Sequence, residues 1–212
     1  MPSPLPEHTA KVKELLAQLR NDRAAMLDYY QSGHANPDGN LYAMDLYILG
    51  IVKRTLSNIK AMGLLAESWN LLAARTMLRT HIDTAIRLHA AWIVNDPNKF
   101  ALDVLNGKQI DRMNDRNGEQ MKDKHLISIV AGDYPWLKTV YDNLSGYIHF
   151  SDSHIVSSIQ NLEENGKFSV RLSEYDFDYP ETSWTEVLNC FNELTGMVIG
   201  HLGSYSQGKR ER

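Results

Sequence analysis

One long segment, Trp69 to Val94 (WNLLAARTMLRTHIDTAIRLHAAWIV), contains neither Gly nor Pro and places three chemically capable side chains within an apolar stripe. Leu71, Leu78, Ile82, Ala85, Ile86 and Ile93 recur at three- and four-residue steps, the period of an amphipathic helix. At about 100° per residue, Arg75 falls about 20° from Ile82, Arg79 about 60° away, and His89 about 20° away on the other side. Arginines in such a stripe can be structural, their stems covering apolar surface. They can also build a polar site inside a bundle. There a guanidinium stabilises charge developing on a phosphate, while a histidine, titrating near neutral pH, carries a proton.

A second set lies in PWLKTVYDNLSGYIHFSDSH. Trp136, Leu137, Val140, Leu144, Tyr147 and Ile148 form the apolar side of a helix, and Lys138, Asp142, Ser145 and His149 follow one another along its opposite flank. Ser145 and His149, four residues apart, can reach one another like a nucleophile and its base. Asp142 and His149 are separated by about 10 Å at 1.5 Å per residue, too far for the carboxylate to orient the imidazole. His149 is therefore expected to act singly or to hydrogen-bond structurally. Arg75, Arg79 and His149 are the candidate catalytic residues, and Asp45, His89, Lys138, Asp142, Ser145 and His154 the candidate binding residues.

Other chemistries find little support. There is no P-loop, no HExxH and no glycine-rich dinucleotide motif. Of eight histidines only His149 and His154 are close, and a five-residue spacing at a helix end is poor metal geometry. One cysteine, Cys190, excludes an internal disulfide and a Cys-based zinc site. No metal and no cofactor are expected.

The surrounding elements are expected as follows. Val12 to Tyr30 mark an amphipathic helix over about residues 7–31, and SGHANPDGN stops it. Leu41, Met44, Ile48, Val52, Leu56 and Ile59 define a second helix from Asn40 to Met62, with Gly63 as its C-cap. Folding back about residue 65 would set Asp45 opposite residue 85, a partner for His89 or, one turn away, for Arg79. Pro97 ends the central helix. Two short helices, 100–115 and 122–131, follow around Asn117-Gly118, and Pro135 opens the segment ending at His149. From Ile155 the period changes to two, and Asn165-Gly166 predicts a type I′ hairpin over about 155–173 pairing Ile159 with Leu172 and Glu164 with Lys167. Ser183-x-x-Glu186 reads as a capping box opening a last helix, 183–203, with a loose tail beyond Ser204. The fold class is all-α: a single domain spanning 1–212, a bundle of about six or seven helices with one appended β-hairpin.

Hydrophobic residues at 43% and charged residues at 23% are ordinary for a globular domain. A net charge of −4 gives no global electrostatic reason to bind nucleic acid. The start of the chain lacks a signal-peptide core and no apolar run approaches a membrane span, so the expected location is cytoplasmic, with no membrane partner. The hairpin's apolar face, Ile159, Phe168, Val170 and Leu172, predicts a homodimer.

The combination LLAESWNLLAARTMLRTHIDTAIRLHAAW and YPWLKTVYDNLSGYIHFSDSHI resembles an uncharacterised family of bacterial all-helical proteins, in which an Arg-rich helix hairpin precedes a tyrosine-led helix ending in Ser-x-x-x-His. The resemblance covers about residues 40–155. More loosely, the chain resembles HEPN-type bundles, which include RNases of toxin–antitoxin and phage-defence systems with an Arg-x4–6-His motif at a dimer interface. Arg75 to His81 has that spacing. The late helix carries Asn143-Leu144-Ser145 where the HEPN pattern has its arginine, so the resemblance implies a composite site, with Arg75 or Arg79 from the central helix and His149 from the late one. Two functional classes follow: a HEPN-like ribonuclease or effector acting on RNA, and a non-catalytic bundle that binds a small anionic ligand or a protein partner.

Overall fold

The computed structural model describes residues 5–32, 39–148, 151, 154–155, 159–162, 168–170 and 172–210. It is an all-α bundle with a small β-hairpin: α1 Ala10–Ser32, α2 Ala43–Glu67, α3 Leu71–Ala90, α4 Pro97–Leu105, a 3-10 turn Ile110–Arg112, α5 Asp123–Val130, α6 Leu137–Ile148, β1 Ile159–Leu162, β2 Phe168–Val170 and α7 Glu181–Arg210. The central segment occupies the centre of the bundle. α3 packs against α2, α5, α6 and α7, and Leu71, Ala74, Leu78, Ile82, Ala85, Ile86 and Leu88 are buried. With neighbours on several sides, its polar positions are at least partly buried against other helices.

α2 runs five residues further than its glycine suggested. Gly63 is helical, because a glycine inside a helix costs about 1 kcal/mol and tertiary burial of Met62 and Ala66 outweighs it. The helix ends instead in a Schellman turn: Trp69 N–H donates to Ala66 O at 2.9 Å and Asn70 N–H to Leu65 O at 2.9 Å. The left-handed position of that turn, usually a glycine, is Trp69 at φ 56°. An aromatic cluster holds it there. Trp69 stacks on His8 at 3.8 Å, meets Trp184 and Phe177 edge-on, and donates its indole N–H to Pro6 O at 2.9 Å. Asn70 then caps α3 by accepting from Ala73 N–H at 2.9 Å.

The later chain departs from expectation at element ends. The helix expected over 100–115 stops at Leu105, where Gly107 at φ 87° turns the chain, and residues 110–112 form only a 3-10 turn. α7 starts at Glu181, so Ser183 lies inside it rather than at its cap, and it continues through the expected loose tail to Arg210. In the hairpin, Ile159 pairs with Val170 and Leu162 with Phe168, with a register shift between Ile159 and Asn161. That pairing differs from Ile159 with Leu172. The Glu164–Lys167 pairing lies outside the described residues.

Candidate functional site

Arg75 and Arg79 of α3 emerge on the side facing α5 and α6, and each meets a tyrosine of α6. Arg75 Nη1 donates to the Tyr147 hydroxyl at 2.6 Å, and its guanidinium carbon lies 4.8 Å from the Tyr147 ring centroid and 5.0 Å from that of Tyr179. Two ring faces therefore hold the cation by attraction to their π-electrons while leaving its charge intact. Thr76 Oγ1 donates to Tyr147 O at 3.3 Å, fixing the end of α6 against α3. Among the described residues Arg75 has no carboxylate partner. The ring of His154 lies 6.1 Å from that of Tyr147, and its Nδ1 accepts from Ser151 N–H at 3.3 Å.

One turn further on, the charges are compensated. Arg79 bonds the Tyr141 hydroxyl, stacks over that ring at 3.8 Å and lies 3.5 Å from Asp123. Asp123, in the first turn of α5, also takes a close ion pair from Arg87 and a hydrogen bond from the Tyr141 hydroxyl at 3.0 Å. Arg87 reaches back to Asp83 at 3.2 Å, and Asp83 pairs with Arg54 of α2 at 3.0 Å. Burial, then the Asp123 carboxylate against the pull of Arg79, leaves the Tyr141 phenol pushed up to about 12. This relay ties α2, α3, α5 and α6 together. Sequence reasoning missed Arg54, Asp83, Arg87, Asp123 and Tyr141, although the Asp83–Arg87 spacing of four residues was a usable signal.

Asp45 is not joined to His89 or Arg79. It is 1% exposed and accepts from Tyr42 N–H at 2.8 Å and from the Tyr205 hydroxyl at 2.7 Å, with Lys209 in a close ion pair. The cause is the length of α2. Moving the fold-back point from about residue 65 to Ser68–Asn70 slides α2 along α3, as shown by Tyr47 bonding Arg87 O at 2.7 Å and Asn58 bonding Thr84 at 3.3 Å. Asp45 is carried past His89 to α7. His89 meets His201 instead, Nδ1 to Nε2 at 3.1 Å. Because His201 Nδ1 donates to Met197 O at 2.9 Å, its Nε2 is the acceptor and His89 Nδ1 carries the proton. Burial first, and His201 second, hold His89 down at about 4.

Arg75 and His81 share the expected spacing but not a site. His81 is 0% exposed, stacked on Phe191 at 4.0 Å, with Nε2 3.0 Å from Thr195 Oγ1, on the α7 side of the helix. Six residues at about 100° each turn the two side chains to different faces. On α6, Lys138, Asp142 and Ser145 are exposed, and Ser145 Oγ donates to Tyr141 O at 3.2 Å, a bond within its own helix. His149 lies outside the described residues. Burial pushes the Cys190 thiol up to about 12, which removes it as a nucleophile at neutral pH.

Among the described residues, no group of three His, Cys, Asp or Glu side chains is placed to hold a metal ion, and no helix is long and apolar enough to cross a membrane. No protein-family model, curated protein or solved structure matches the chain.

Proposed function

We propose that the protein is a HEPN-like helical effector that engages RNA at the α3–α6 face, with Arg75 as the residue that meets the phosphate. The observation that carries this reading is the state of Arg75: fixed by Tyr147 and Tyr179, yet without a carboxylate among the described residues. A half-buried guanidinium so held is preorganised for a phosphate oxygen. Arg79, compensated by Asp123, is a positioning residue in this scheme. Proton transfer falls to His149, which follows the last residue of α6 in the chain, with His154 beside Tyr147 as the second histidine of the face.

Cleavage of RNA by the purified protein tests this directly. Arg75→Ala and His149→Ala should each lower it at least a hundredfold with the helical content unchanged, whereas Ser145→Ala should leave it intact. RNA bound without cleavage, and released on Arg75→Ala, would move the assignment to the non-catalytic binding module. No binding and no cleavage would refute the reading.

The exposed apolar residues at the end of α6 and around the hairpin support a homodimer. Leu172 is 90% exposed, Ile155 54%, Val170 47% and Ile148 44%.

A further inference from the structure

At the opposite end of α3 from Arg75, the first turns of α2 and α4, the segment that follows α3 and the last turns of α7 enclose a cleft of about 810 Å³. That volume is within the range of roughly 300–1,000 Å³ typical of small-molecule sites. Three aromatic side chains, Tyr42, Trp92 and Tyr205, line it together with Asn98, Arg116 and Lys209. Trp92 is set by an edge-on contact with His201, 4.7 Å between centroids. The lining charge is positive. Lys209 is balanced by Asp45 beneath it, whereas the Arg116 guanidinium is bonded, among the described residues, to the backbone carbonyls of Trp92 and, at 3.1 Å, of Ile93. Its Nη1 has no protein acceptor among the described residues. Asn98 Oδ1 accepts from Met44 N–H at 3.3 Å, which holds the α2 and α4 ends of the cleft together.

We infer that this cleft binds a small planar aromatic anion, its ring against Trp92 and the tyrosines and its negative group on Arg116. The rings supply flat apolar surface that water covers poorly, and Arg116 supplies a cation with donors to spare. The inference stands apart from the RNA reading, because Arg75 and the α6 tyrosines do not line the cleft.

Calorimetric titration of the full chain with adenosine 5′-monophosphate, indole-3-carboxylate and neutral adenosine tests it. At least one of the two anions should bind with a submillimolar Kd, and adenosine at least tenfold more weakly. Binding of the nucleotide alone would assign the site to nucleotides, and binding of the carboxylate alone to aromatic acids. Arg116→Gln should weaken the anion at least tenfold. Since Arg116 also bonds the segment that follows α3, Asn98→Asp is the second variant: it keeps the acceptor for Met44 N–H and adds a negative charge, so it should weaken the anion tenfold and leave adenosine unchanged. Trp92→Phe should remove the fluorescence change on nucleotide binding. The inference is overturned if neither anion binds, if adenosine binds as tightly, or if Asn98→Asp has no effect on the anion.

Discussion

His81 should make the bundle acid-sensitive, and its hydrogen bonds say by how much. Thr195 Oγ1 donates to Phe191 O at 2.9 Å, so at the His81–Thr195 contact the hydroxyl is the acceptor and His81 Nε2 carries the proton. Nδ1 is then the bare nitrogen, buried and, among the described residues, without a hydrogen-bond partner. Protonating it would place a charged N–H in the core with nothing to receive it, and burial, aided by Arg54, holds the imidazole down at about 3. The folded pKa lies below the unfolded value, so the unfolded chain takes up the proton first. Stability is intact above about pH 6.5 and falls as pH drops from there towards 3. At pH 5 the unfolded histidine is protonated and the folded one is not, a loss of about 2 kcal/mol whatever the folded value below 4. For a chain of this length that is about 4–8 °C in Tm. His81→Leu removes the titration and leaves Thr195 bonded to Phe191 O. Urea unfolding at pH 7 and pH 5, followed by circular dichroism, should show wild type losing about 2 kcal/mol more than His81→Leu between the two, with His89 contributing equally to both. The same loss in both proteins would refute the assignment of Nδ1 as a buried, neutral acceptor.

Lys209→Met should destabilise the fold by about 3 kcal/mol, because buried Asp45 keeps the Tyr205 and Tyr42 donors but loses the Lys209 ammonium beside it. Adding Asp45→Asn to that variant should recover much of the loss in chemical denaturation; a Lys209→Met protein as stable as wild type would show the pair to be dispensable. The apolar surface around Leu172 should make the protein dimeric, and Leu172→Glu should shift it towards monomer. Light scattering that returns a 24 kDa wild-type species at micromolar concentration excludes the dimer.

The helices themselves were legible because their signal is local. The period of Leu71 to Ile93 places α3 at the core with no knowledge of its neighbours, and the change of period after Ile155 marks the hairpin. The arginines, too, were recognisable as needing partners. Which partners they take was not, because that depends on how far each helix runs and how it slides on the next. Five extra residues on α2 move its start by about 7.5 Å along α3, enough to take Asp45 from His89 to Lys209. The polar sequence around Lys209 reads as a frayed tail, yet in the folded protein it is helix and Lys209 pairs with a buried carboxylate brought in from 164 residues away. Likewise Arg75 and Arg79 look equivalent in sequence, one turn apart on the same stripe. Position of α5 separates them: Asp123 arrives beside Arg79, and Arg75 meets tyrosine faces and, among the described residues, no carboxylate. Amphipathic period fixes which residues face inward within a few residues of chain, whereas the pairing of charges is settled by contacts tens of residues apart, whose geometry exists only once the helices have packed.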